Sequence, residues 1–124
     1  MKPIITASDY ELINSVIENI PSHQKTKVVG QLNEELSRAQ IVNESSISNE
    51  VIRLNSTFKI MDVNSNRLIE FTITLPDLAD LSKKKISVLT PLAVALIGFK
   101  KGMVIDWVLP GGPKKIKILN VINK

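Results

Sequence analysis

A chain that carries out chemistry needs a nucleophile, an acid–base pair or a set of metal ligands, and this one is nearly bare of them. Cysteine is absent, so a thiol nucleophile, a disulfide and a Cys-based zinc site are excluded. His23 is the single histidine; with no second histidine or cysteine to complete a site, it reads as a solvated loop residue. No G-x-x-x-x-G-K-S/T phosphate cradle occurs, and Gly98, Gly102, Gly111 and Gly112 all fall where turns are needed. These residues point away from an enzyme, and no metal or cofactor is expected.

What the chain does concentrate is charge. Residues 1–82 hold seven basic and eleven acidic side chains, a net of −4, whereas residues 83–124 hold nine and one, a net of +8. Lys83, Lys84, Lys85, Lys100, Lys101, Lys114, Lys115 and Lys117 would, on one face, attract an acidic partner or give a weak nucleic-acid contact. Stacking platforms for single-stranded bases are scarce, because the aromatics are only Tyr10, Phe58, Phe71, Phe99 and Trp107.

The elements that must position these groups follow from periodicity. Ser8, Asp9, Tyr10 and Glu11 read as an S-x-x-E capping box, and Ile13, Val16, Ile17 and Ile20 then recur at helical spacing, predicting a helix of about thirteen residues that ends before Pro21. Val28, Val29, Leu32, Leu36 and Ala39 make a second stripe over about Lys25 to Gln40. The short polar connection predicts an antiparallel helical hairpin over residues 1–42. Residues 43–50, NESSISNE, read as a linker, and 51–124 as the second unit. In it, Phe58 and Ile60, the turn Asn64, Ser65, Asn66, and then Ile69, Phe71, Ile73 and Leu75 predict a β-hairpin with one buried face.

The stretch Lys85 to Gly112, KISVLTPLAVALIGFKKGMVIDWVLPGG, is the densest in signals. It reads as a strand, a helix capped by Thr90 with Pro91 at its first position and closed by Gly98, a second strand, and a tight turn at Pro110 to Pro113. The all-round apolar run Leu92 to Ile97 requires that helix to be buried or to carry an exposed patch. The fold class is α+β, a single compact chain of 124 residues with 44% hydrophobic and 23% charged side chains. No apolar run approaches the ~20 residues that span a bilayer, and no secretory segment is evident at the start, so the expectation is a cytoplasmic monomer without membrane association.

The run S-V-x-T-P-x-x-x-A-L-x-G-x-x-x-G-x-x-x-x-W-x-x-P-G-G resembles the C-terminal domain of the Gre-type bacterial transcription elongation factors, and LNEELSRAQIV at 32–42 with VIRLNSTFKI at 51–60 is similar to the regulator-of-nucleoside-diphosphate-kinase branch of that family. The resemblance implies a twisted antiparallel FKBP-like sheet with one short helix, and it makes the helical hairpin a short coiled-coil arm. It implies binding to core RNA polymerase at the rim of the secondary channel, through positions matching Leu89, Thr90 and Pro91. Leu89 departs from the Asn or Asp that cleavage factors often carry there.

Those factors deliver acidic residues at the arm tip to the polymerase active centre, where they help hold a catalytic Mg²⁺. The tip here is Pro21 to Lys27 with Ser22, His23, Gln24 and Lys25 at its apex, and it has no carboxylate; the nearest are Glu18 and Glu34. Thirteen to sixteen helical residues reach only ~20 to 25 Å. The expectation is a polymerase binder that does not stimulate transcript cleavage. The alternative is an interaction or signalling module that docks through Ile13, Ile17, Ile20, Val28 and Leu32, with any effect on nucleoside diphosphate kinase indirect. Prolyl isomerase activity, which an FKBP-like fold suggests, is disfavoured because five dispersed aromatics do not make a proline pocket.

Overall fold

The computed structural model describes residues 2–21, 23, 26–109 and 112–123. The chain runs β1 (Ile4–Thr6), α1 (Ala7–Glu18), α2 (Lys27–Arg38), β2 (Gln40–Val42), β3 (Thr57–Asp62), β4 (Arg67–Thr74), β5 (Lys85–Ser87), α3 (Pro91–Leu96), β6 (Val104–Leu109) and β7 (Gly112–Ile122).

The first helix starts two residues before the expected box. Thr6 is its N-cap, with Oγ1 accepting from the Asp9 amide at 3.2 Å, so Thr6-x-x-Asp9 takes the role assigned to Ser8-x-x-Glu11. The Ser8 hydroxyl instead donates to Glu44 at 2.8 Å. Asp9 in the first turn also complements the positive end of the helix dipole. Helix α2 begins after Thr26, whose Oγ1 accepts from the Val29 amide at 3.3 Å, and ends at Arg38 because Ala39 turns extended to start β2. Each helix is therefore 12 residues long, shorter than the pattern suggested.

β1 and β2 were not expected. They form a parallel pair, Ile4 opposite Gln40 and Thr6 opposite Val42, which closes the base of the helical hairpin. Around them, the Ile4 amide donates to the Gly98 carbonyl at 2.8 Å and the Gln40 amide to the Pro3 carbonyl at 2.8 Å.

The main sheet has the order β5-β4-β3-β7-β6. Four strands are antiparallel neighbours, but β5 lies parallel to β4, so the sheet is mixed rather than wholly antiparallel. The cause is the 76–84 segment: short 3₁₀ turns at Pro76–Leu78 and Leu81–Lys83, with Lys84 left-handed at φ 57°, carry the chain back so that β5 re-enters in the direction of β4. One face of the sheet buries Phe58, Ile60, Ile73, Ile105, Ile116 and Ile118; α3 packs there and α2 packs on α3. Ile13 and Ile17 of α1, Val29, Leu32 and Leu36 of α2, and Ala93 to Leu96 of α3 join the sheet residues in a single apolar core. The short helix is thus buried, as its all-round apolar sequence requires.

Candidate partner-binding site

Leu89, Thr90 and Pro91 are half-exposed at the start of α3, as is Leu92, whereas Ala93 to Leu96 are buried. Ser87 organises them. Its Oγ accepts from the Leu89 amide at 3.0 Å, and its carbonyl accepts from the Thr90 amide at 3.0 Å and from the Thr90 hydroxyl at 2.8 Å. Thr90 Oγ1 in turn accepts from the Ala93 amide at 3.4 Å, so one hydroxyl both caps the helix and ties it to the preceding strand. Pro91 occupies the first helical turn, where its missing N–H costs nothing. The result is a fixed ridge at the edge of the sheet.

Two clefts flank the ridge. One, of about 200 Å³, is walled by Ala79, Leu81 and Ile86, with Ser87 and Thr90 on its rim. The other, of about 140 Å³, lies between Leu92 and the sheet residues Ile60, Ile69 and Ile116. At its mouth Lys114 Nζ stands 3.6 Å from Asp62 Oδ2.

The connection between α1 and α2 is a separate feature. His23 is exposed, as a loop histidine should be; Ser22, Gln24 and Lys25 lie outside the described residues, as do Pro110 and Gly111 of the expected turn. Glu18 is the last residue of α1 and accepts from Asn14 Nδ2 at 3.3 Å, while Glu34 lies exposed on α2. Twelve residues per helix give the hairpin a reach of ~18 Å. Its apolar stripe is consumed internally: Ile13, Ile17 and Leu32 are buried, and Ile20 and Val28 pack half-buried against them. A partner docking on that stripe would have to open the core.

The lysines fall in separate groups along the sheet. Lys83, Lys84 and Lys85 lie at the β5 edge, three strand spacings or ~14 Å from β7. Lys114 and Lys115 of β7 approach Asp62 and Asp106 at 3.6 and 3.9 Å. Phe58 and Phe99 are buried, and Tyr10 and Phe71 pack against the core, so these rings offer no stacking surface.

Two groups that no local pattern announced fasten the stretch between the helical hairpin and the sheet. Arg53 Nε donates to Asp9 Oδ2 at 3.1 Å, and its terminal nitrogen reaches Glu44 Oε1 at 2.6 Å and Thr6 Oγ1 at 3.3 Å, clasping the start of α1, the 43–50 stretch and the entry to β3. Asn123 donates through Nδ2 to the Asn49 and Val51 carbonyls, both at 2.8 Å, and accepts from Ser56 Oγ. Hydrogen bonds, first from Arg53 and then from Ser8, hold the Glu44 carboxyl below its ordinary value. A carboxylate lowered in the folded state stabilises it above the unfolded pKa, and that contribution disappears as pH falls through the folded value. Glu44→Gln is therefore expected to lower the urea midpoint at pH 7, with the gap to the unaltered chain closing as pH falls; a gap that does not change with pH would show that the clasp contributes nothing through charge.

Comparisons with known proteins bear on this geometry. The family described as "Transcription elongation factor, GreA/GreB, C-term" matches residues 47–123, which include the α3 ridge and both clefts. Transcription elongation factor GreA of Nitrobacter hamburgensis is 35% identical over 100 residues, 81% of this chain and 63% of that protein. The chain thus spans less than two thirds of the length of such relatives. The regulator of nucleoside diphosphate kinase of Escherichia coli K12 is 31% identical over 109 residues, 88% of this chain and 79% of that one. Among solved structures, the prokaryotic transcription elongation factor GreA/GreB from Nitrosomonas europaea superposes with a TM-score of 0.80 at 30% identity, covering 99% of both chains. GreA factor homolog 1 of Thermus thermophilus, at 21% identity and a TM-score of 0.52, shares the fold.

Proposed function

We infer, because this chain belongs to the GreA/GreB family of transcription elongation factors, that it regulates bacterial transcription in the cytoplasm by binding core RNA polymerase at the rim of the secondary channel. The observation that carries this reading is the ridge Leu89–Thr90–Pro91: the family match covers it, and the fold holds it half-exposed through the Ser87 and Thr90 hydrogen bonds while burying Ala93 to Leu96. Residues 1–42 are the arm, 43–50 the linker and 51–124 an FKBP-like body, meeting in one apolar core.

The chain binds without stimulating transcript cleavage. An arm of ~18 Å stops short of a distant active centre, and the stretch Pro21 to Lys27 offers lysines and a histidine where a metal would need carboxylates. The larger share of the nucleoside diphosphate kinase regulator that the chain covers, 79% against 63% for the elongation factor, supports the short-armed branch. Any influence on nucleoside diphosphate kinase is indirect, and any nucleic-acid contact through the basic C-terminal half is secondary, since its lysines are divided between distant strands.

The test is a titration of this protein onto core RNA polymerase carrying a labelled Gre cleavage factor, followed by a cleavage assay on a stalled complex. Displacement of the label with no release of 3′ RNA fragments is the expected result. Fragment release would refute the cleavage-silent reading, and no displacement far above the cleavage factor's affinity would refute the shared binding site.

A further inference from the structure

We propose that the binding surface extends from the α3 ridge onto the 76–85 segment, where Leu81 and the cleft beside it receive an apolar side chain from an acidic protein element of the polymerase. This rests on the polymerase reading above and names the chemistry of the contact.

Leu78 and Leu81 are 58% and 75% exposed, and Leu81 is the most exposed large aliphatic side chain among the described residues. A lone exposed leucine needs no explanation; this one forms a wall of the 200 Å³ cleft whose rim is Thr90. The cleft, the leucine and the ridge are thus continuous.

The segment is also held in place. Asp80 Oδ1 accepts from the Ser82 amide at 3.0 Å and the Ser82 hydroxyl at 2.6 Å, while the Asp80 and Lys85 backbones exchange two hydrogen bonds of 2.9 Å. A surface already ordered gives up little entropy on binding, which favours its use as a docking site.

Charge specifies the occupant. Lys83, Lys84 and Lys85 are consecutive and exposed beside the cleft. The Asp80 carboxylate is engaged by Ser82, which leaves Asp77 as the one other acid in the segment. Lys85 lines the cleft together with Asp80, and Lys83 and Lys84 precede it in the chain; an apolar wall with this basic run beside it suits an aliphatic or aromatic side chain flanked by carboxylates. A nucleic acid would use the lysines and ignore Leu81.

The experiment measures the affinity of fluorescently labelled full-length protein for core RNA polymerase at two salt concentrations. Leu81→Ser is expected to weaken binding about tenfold, in the range of a truncated interface anchor. The pair Lys83→Ser, Lys84→Ser is expected to weaken it a few-fold and flatten the salt dependence. Thermal unfolding should be unchanged in both, because all three side chains are exposed. Undiminished binding by Leu81→Ser overturns the inference alone, provided the unaltered protein binds. Loss with the lysine variant only would assign the segment to nucleic acid and overturn it as well. No binding by the unaltered protein would overturn the polymerase reading and this inference together.

Discussion

Gly98→Ala is expected to lower folding stability by about 3 kcal/mol, read as a reduced urea midpoint with an unchanged slope. Gly98 adopts φ +87° just past the end of α3, a region that costs an alanine ~1–2 kcal/mol. A β-carbon there would stand 2.4 Å from Pro3 Cβ and 3.0 Å from the Ile4 nitrogen. Overpacking of this kind adds ~1–3 kcal/mol. Both the strain and the clash fall where β1 crosses the end of α3 and the Ile4 amide bonds the Gly98 carbonyl. Gly102 separates the two effects: it has φ +92° with open space around it, so Gly102→Ala should incur the strain alone. Equal losses at both positions would mean that β1 simply moves aside.

The second large effect is expected at the ridge. Thr90→Asp keeps an acceptor for the Ala93 amide, and Asp ranks with the best N-cap residues, so α3 should persist and unfolding stay cooperative, with a small loss of stability from the donor to the Ser87 carbonyl that Asp lacks. The same substitution places a carboxylate on the surface proposed to meet an acidic partner. Binding to core RNA polymerase should fall at least tenfold, equivalent to ~1.4 kcal/mol. Thr90→Ser, which retains both the donor to Ser87 and the acceptor for Ala93, should bind normally. Unchanged affinity in Thr90→Asp would confine Thr90 to capping and move the binding site elsewhere.

Where a signal is local, the sequence carried it. Thr90, Pro91 and Gly98 announce the ends of α3 within nine residues, and the alternation around Asn64 to Asn66 announces the β3–β4 hairpin, in which the structure sets Phe58 opposite Phe71. The arm helices were legible from their stripes, though two caps competed at the first one: Ser8-x-x-Glu11 is the better pattern, but Ser8 is drawn to Glu44, 36 residues away. Long-range facts were not legible. The Arg53–Asp9 pair spans 44 residues, and β1 pairs with β2 across the whole hairpin with three residues on each side, too few for any periodicity. The direction of β5 turned on the left-handed Lys84, a position without glycine or asparagine to advertise it. The basic residues looked like one group because sequence order is blind to a strand order that puts β4 and β3 between them. Thr90 and Pro91 were legible as a helix start; the cleft beside them was not, because Leu81 reads as an ordinary aliphatic until its exposure is seen.

The parallel pairing of β1 with β2 makes the reach of this protein an adjustable dimension. Chain entering and leaving the arm does so through neighbouring strands ~5 Å apart, fastened to each other before either helix begins or after it ends. Helix built beyond the residues that reach the common core need only pack against itself. Seven residues added to each helix at the distal end would extend the projection by ~10 Å while every contact of the body stays as it is. One body can in this way carry helical hairpins of different length.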